Sequence, residues 1–216
     1  MEFTASQVWG AAAAADRING GYCKEPVYQK DETGFPINMD KPVKQANKML
    51  VKKWLRENDF SQITAADTAA GEAARNHFKS YTLLALTGQM NDFQTTAMKI
   101  AAKDVFTGRD MYDFAVVSCL PDVARRDQAR TEVKREIYNS EQLVGAVGAA
   151  VVGDITVVSS KYNHNFDKYR ITARMGEAFV DFWFGRNLEG TLRIKGKIKN
   201  VRGDKTTQLN YVKISG

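Results

Sequence analysis

Basic side chains alternate with apolar ones along Thr191–Val201, which reads Thr-Leu-Arg-Ile-Lys-Gly-Lys-Ile-Lys-Asn-Val. On a β-strand, successive side chains point to opposite faces, so the aliphatic residues would share one face and the cations the other. Neighbouring cations on that face would lie about 6–7 Å apart, similar to the phosphate spacing of an extended single strand. The row therefore predicts a site that binds a polyanion such as nucleic acid. The alternative is a solvated edge strand, on which lysines prevent unwanted pairing. Its cations are Arg193, Lys195, Lys197 and Lys199.

A second stretch carries cations with the same alternation, because Arg170 and Arg174 are interleaved with apolar residues. Two basic strands make a patch, and a patch indicates nucleic-acid binding more strongly than one row does. The hairpin that ends the chain completes the predicted nucleic-acid-binding set with Arg202, Lys205 and Lys213.

Aromatic residues accompany these cations, and an exposed aromatic ring can stack on an unpaired base. Trp183 and Tyr211 are the predicted stacking residues, because each shares a strand face with a charged residue, Asp181 and Lys213 respectively. The competing interpretation is that all aromatic residues of this region fill the core of a small barrel.

Residue types that could support catalysis are sparse. Asp104, Asp110 and Asp113 could hold Mg²⁺ for phosphodiester chemistry, although carboxylates at a helix start explain them more simply. His77 and His164 have no further ligands at metal-binding spacing. The sequence therefore predicts a non-catalytic protein without a cofactor, and a magnesium-dependent nuclease remains an open alternative.

The charge distribution points to the last third of the chain. Residues 1–150 contain 19 basic and 19 acidic residues, whereas residues 151–216 contain 12 basic and 6 acidic residues. The whole net charge of +6 is therefore local, which favours one polyanion site. With two unpaired cysteines, no secretion signal and no apolar run near the roughly 18 residues of a membrane span, we expect a cytoplasmic protein without membrane association.

The predicted secondary structure that positions these residues changes from helices to strands near residue 144. Helices are predicted at about 6–19, 40–58, 64–87, 91–106 and 121–138, with a loop at 22–39. The second of these helices is predicted from Asp40 as its N-cap and Pro42 in its first turn. The segment 110–120 fits either a helix or a strand.

From Asp154 the sequence has the period of two that is typical of strands. Five strands are predicted at 154–162, 168–174, 178–184, 191–201 and 206–214, and short turns separate them. Five short antiparallel strands in about 60 residues indicate a small β-barrel or a strongly curled sheet.

The end of the chain resembles the closing hairpin of OB-type modules in bacteriophage replication and recombination proteins. The residues that carry the resemblance are Ile194-Lys-Gly-Lys-Ile-Lys-Asn-Val and Thr206-Thr-Gln-Leu-Asn-Tyr-Val-Lys-Ile. It covers roughly the last 65 residues and implies single-stranded nucleic-acid binding across the barrel face. The residues to which it assigns this binding are Arg193, Lys195, Lys197, Lys199 and the strand of Tyr211. The stretch 185–190 is too short for the helix that a standard OB-fold has there.

The predicted fold class is α+β, with a helical region (1–143) packed on a five-stranded antiparallel OB-like barrel (144–216). The predicted function is binding of single-stranded DNA, favoured over RNA, in phage-type replication, recombination or repair in the cytoplasm, that of the host if the chain is phage-encoded. The helical region would form a homo-oligomer or recruit replication proteins. The alternative is a phage structural or assembly adaptor whose basic strand binds an acidic protein.

Overall fold

The computed structural model describes residues 1–141, 145–201 and 205–215. The chain divides into two compact units, Met1–Gln128 and Ala129–Gly216, here called the helical unit and the barrel unit. Together they confirm the α+β class. Arg202 lies outside the described residues. None of the described helices is long and apolar enough to cross a membrane.

The helical unit confirms most of the predicted helices and shows that the ambiguous segment 110–120 is helical. Two short strands also occur in it, and they pair antiparallel. In chain order the elements are β1 (Glu2–Thr4), α1 (Ala5–Asn19), α2 (Asn47–Glu57), α3 (Ala65–Lys79), α4 (Thr82–Ala85), α5 (Asp92–Ala101), β2 (Val105–Thr107), α6 (Met111–Val117) and α7 (Leu120–Asn139), within which the unit boundary falls.

Helix α1 lies at the centre of the helical unit. It begins with a capping box between Thr4 and Gln7 and ends at Gly20, whose φ of 66° is left-handed. Trp9 and the alanines that follow are buried. Small side chains let α3 approach the backbone of α1, because a Cβ on Gly71 would lie 2.4 Å from the carbonyl oxygen of Trp9.

Gly71→Ala is therefore expected to lower the free energy of unfolding of the helical unit by at least about 2 kcal/mol. The added methyl group meets backbone atoms of α1, which a change of rotamer cannot move aside. Urea denaturation followed by circular dichroism measures the effect. Ala69→Ser, on the exposed side of the same helix, is the control, and an equal loss in both variants would contradict the close approach as the cause.

Three predicted helix boundaries are wrong, and at two of them pairing between distant residues replaces helix. Residues 40–46 are not helical, since Val43 and Lys44 exchange backbone hydrogen bonds with Val27 at 2.7–3.2 Å. The predicted helix 91–106 ends at Ala101, because β2 pairs with β1. The predicted helix 64–87 ends at Lys79 and is followed by the single turn of α4.

An ion pair between the half-exposed Arg17 and the buried Asp67 joins α1 to the start of α3. Arg17 donates to Asp67 through Nε at 2.8 Å and Nη2 at 2.9 Å, and Asp67 also completes a capping box with Thr64. The Arg17 guanidinium and the hydrogen bonds from Thr64 lower the pKa of Asp67 to about 2.

The depressed pKa of Asp67 predicts a pH-dependent stability. Its contribution is fully present above about pH 4 and is lost as the pH falls towards about 2, a change of about 2 kcal/mol. Asp67→Asn is expected to lack this part of the acid sensitivity in urea denaturation at stepped pH. Asp40→Asn, at an exposed carboxylate, should keep it; parallel pH profiles for wild type and Asp67→Asn would contradict the assignment.

The barrel unit confirms the predicted five-stranded barrel. Its strands are β3 (Ala150–Asn163), β4 (Lys168–Met175), β5 (Ala178–Phe184), β6 (Thr191–Val201) and β7 (Thr207–Ser215). They form a closed barrel in the order β3-β4-β5-β7-β6, and β6 pairs with β3. This order is compatible with an OB-like fold. The core contains Ile155, Ile171, Val180, Phe182, Ile194, Ile198 and Leu209.

The barrel is mixed, and the prediction that all its strands are antiparallel is wrong at one seam. β5 and β7 are parallel, and among the described residues they share the register pairs Val180 with Thr207 and Asp181 with Gln208. As predicted, no helix connects β5 to β6 in the stretch 185–190. Leu188 of this connection is instead buried in the barrel core.

Candidate nucleic-acid interface

Strand β6 has the alternation that the sequence predicts. Ile194, Gly196 and Ile198 are buried, whereas the four basic residues between and beside them are exposed. The glycine keeps the barrel wall tight, since a Cβ there would lie 3.2 Å from Cγ2 of Val212. One face of β6 therefore closes the core while the other presents cations.

Strand β7 adds a fifth cation beside this row. Lys195 pairs in register with Lys213, and Lys197 pairs with Asn210. Two like charges directly opposite each other destabilise a sheet, so the pair costs stability unless an anion lies between its members. We call Lys195, Lys197, Lys199 and Lys213 the basic row; among the described residues, no carboxylate lies within 4.0 Å of their ammonium groups.

A β-bulge places Tyr211 next to the basic row. Between the register pairs of Lys195 and Lys197, β6 has one residue and β7 has two, Tyr211 and Val212. The φ of Tyr211 is 54°, in the left-handed region that bulky residues rarely adopt. Its side chain is 79% exposed. Backbone strain of this kind collects at functional sites, and here it presents an aromatic ring to solvent.

An aromatic pocket opens where β5 and β7 separate beyond their short parallel pairing. Its cavity volume is about 380 Å³, and its walls include three aromatic rings and one lysine. The rings of Phe166 and Trp183 lie 5.2 Å apart between centroids. Trp183 is half-buried. Tyr211 belongs to both this pocket and the surroundings of the basic row. The side chains that define the pocket are Phe166, Lys168, Trp183 and Tyr211.

The three predicted arginines of the described chain are ion-paired. Arg170 binds Asp181 at 3.0 Å, and Arg193 binds the exposed Asp154 at 3.2 Å. Arg174 binds Glu136 at 2.5 Å and also lies over the ring of Phe179. In the barrel, β3 separates β4 from β6, so the basic residues of β4 do not lie on a strand next to the basic row.

Two further predictions depend on which faces are open. Asp181 is only 1% exposed, so the strand face that it shares with Trp183 is covered at that point, and a charged neighbour does not indicate an open face there. Tyr211 and Lys213 are both exposed on one face, as predicted. Lys205 is half-buried, and its Nζ lies 5.5 Å from the ring centroid of Tyr138.

The carboxylates considered for Mg²⁺ are held by cations. Asp104 binds Arg75 at 2.6 Å, and Lys103 binds both Asp110 and Asp113. In the part of the chain that the structure describes, no group of three or more His, Cys, Asp or Glu residues could hold a metal ion.

Phe166 and Lys168 belong to the pocket but were not predicted. Phe166 lies in the turn between β3 and β4 and is 62% exposed. A large apolar residue among the asparagine and aspartate of a turn has no core to fill, and this is the signal that could have identified it. Lys168 begins β4 and is separated by 27 positions from the nearest cation of the basic row.

Comparisons of the chain with protein-family models, with curated proteins and with solved structures find no match.

Proposed function

We propose that the protein binds single-stranded DNA without catalysis, in phage-type replication, recombination or repair. The observation that carries this proposal is the basic row beside Tyr211. These lysines lie on two neighbouring strands, and among the described residues none of them has a carboxylate partner. Such an arrangement favours a polyanion as the ligand.

The phosphates would lie along the basic row and the bases would turn towards the aromatic pocket. Lysines bind phosphates as point charges and release the counterions that the strand carries, so affinity would fall with salt. A base stacked on Tyr211 or placed against Trp183 and Phe166 would add about 1–3 kcal/mol. Stacking accepts every base, so we expect little sequence preference.

The pocket also explains why an unpaired strand is proposed rather than a duplex. The bases of a duplex are already stacked and paired, and they cannot reach an aromatic ring without being extruded at a cost of a few kcal/mol. A single strand has its bases available. DNA is proposed over RNA on the resemblance of the closing hairpin alone.

The position of the pocket agrees with the way OB-like barrels bind. In such barrels, oligonucleotides contact the second and third strands and the loop between the first and second. Here Lys168 and Trp183 lie on the second and third barrel strands, β4 and β5, and Phe166 lies in the loop before β4.

Fluorescence anisotropy with labelled oligo(dT), its duplex with oligo(dA), and oligo(U), over about 50–200 mM salt, tests the proposal. We expect oligo(dT) to bind more tightly than the duplex, with log K falling by about 0.7 per phosphate for each unit of log salt. Duplex binding that equals oligo(dT) binding would contradict the single-strand assignment. Large oligomers without nucleic-acid affinity would favour the assembly adaptor, and magnesium-dependent cleavage of the probe would favour a nuclease.

A further inference from the structure

An apolar groove in the helical unit has walls made of methionine. Its cavity volume is about 710 Å³. The floor belongs to the core of the unit, since Phe3, Leu55 and Phe114 are buried. Met1, Met49 and Met111 form the walls and are exposed. We call it the methionine groove. Methionine is flexible and polarizable, and surfaces rich in it adapt to apolar side chains of a partner.

The charged side chains that line the methionine groove are all cations. Lys52, Lys53 and Arg56 line it from α2, and no carboxylate does. Arg56 makes one exposed contact with Glu57 at 3.3 Å. Among the described residues, no carboxylate lies within 4.0 Å of Nζ of Lys52 or Lys53.

The acidic residues closest in sequence to Met111 do not change this balance. Asp110 and Asp113 flank Met111 in the chain, but Lys103 holds both carboxylates. The groove therefore combines an apolar floor with a positive edge, and its ligand must be apolar on one side and negative on the other.

The cations are spread along α2 instead of meeting at one point. From Lys52 to Arg56 the helix advances four residues, or about 6 Å, and Lys53 lies between them. An amphiphile such as a fatty acid carries one negative group and would leave most of this edge without a counter-charge. A helix of a partner protein with acidic residues at several positions would match the whole edge, while its apolar residues at i, i+3, i+4 and i+7 enter the groove.

We propose that the methionine groove docks an acidic amphipathic α-helix of a partner protein. The apolar side chains of that helix contact Met49, Met111 and the floor, and its carboxylates contact Lys52, Lys53 and Arg56. This site lies within the helical unit and does not depend on nucleic-acid binding by the barrel unit.

The test uses the full chain and a fluorescein-labelled synthetic peptide of about 14 residues, or four helical turns. The peptide carries leucine at i, i+3, i+4 and i+7 and glutamate at most other positions. A scrambled peptide of identical composition, with leucine on all faces, is the comparison. We expect the amphipathic peptide to bind at least about tenfold more tightly, because a helix-in-groove site requires its anchors on one face.

The charged edge is tested by the double variant Lys53→Glu and Arg56→Glu, at two exposed positions of α2. It is expected to weaken peptide binding at least about tenfold, since attraction at two positions becomes repulsion. The matched control is Lys41→Glu with Lys99→Glu, which makes the same charge change at exposed positions that do not line the groove, and it should change affinity less than about twofold.

Four results would overturn the proposal. These are no peptide binding, equal binding of the scrambled peptide, equal loss in the control variant, and binding of dodecanoate at the groove without binding of the peptide. The last result would assign the groove to an anionic amphiphile. Circular dichroism of each variant confirms that a loss of binding reflects the surface and not the fold.

Discussion

Replacing Lys195, Lys197 and Lys213 with glutamate is expected to weaken oligo(dT) binding at least about a hundredfold at low salt. Each of these lysines is exposed and has no carboxylate partner among the described residues, so its charge is available to a phosphate. The salt dependence should become shallower by about 2 in the slope of log K against log salt, as three phosphate contacts are lost. Anisotropy titrations across a salt series measure both effects.

The matched control for this triple variant is Lys24→Glu, Lys41→Glu and Lys99→Glu. It makes the same change in net charge at three exposed lysines of the helical unit, and it should lower affinity only through the general field of the protein. If the control loses as much affinity and as much salt slope as the triple variant, the basic row is not the site. Thermal unfolding of both variants shows whether either has lost its fold.

Tyr211→Gly is the second change with a large expected effect, and it should lower affinity without lowering stability. Loss of the ring removes stacking worth about 1–3 kcal/mol, or about 5- to 150-fold in affinity. Glycine adopts a positive φ without strain, so the free energy of unfolding should be unchanged or higher by up to about 1 kcal/mol. Anisotropy and urea denaturation of the same preparation measure the two quantities.

Two comparison variants make this result specific to the ring. Tyr211→Phe keeps an aromatic face and should bind like the wild type. Tyr211→Ala lacks the ring but keeps a Cβ in the left-handed conformation, so it should bind as weakly as Tyr211→Gly and be less stable than it. Wild-type affinity in Tyr211→Gly would exclude this residue from the interface, whatever its exposure.

The strands could be predicted closely because their signal is local. The alternation along β6 predicts both its bounds and its faces, and β5 was likewise predicted at its observed bounds. The start of α2 could not be predicted in this way, because the bridge between Val27 and Lys44 joins residues 17 positions apart and competes with a plausible N-cap at Asp40. The parallel pairing of β5 with β7 could not be predicted either, because it depends on how the barrel closes and not on the periodicity of a single strand.

The exposure of the site residues could be predicted where it follows from strand periodicity. It could not be predicted where a side chain is held by a residue of another strand. That Lys195 and Lys197 face outward follows from the alternation with Ile194 and Ile198. That Arg170 is held by Asp181 requires the pairing of β4 with β5. The position of Phe166 beside Trp183 is also a tertiary fact, since a turn residue has no periodicity.

The short seam between β5 and β7 predicts where the native barrel opens first. Two register pairs hold this seam, whereas seven hold β4 to β5. Sub-global opening begins where backbone hydrogen bonds are fewest, so the amides of Val180 and Thr207 should exchange with deuterium before those of β4. Trp183 lies on β5 and Tyr211 on β7, on opposite sides of that seam. A ligand that contacts both residues should therefore hold the two strands together and slow amide exchange in each of them.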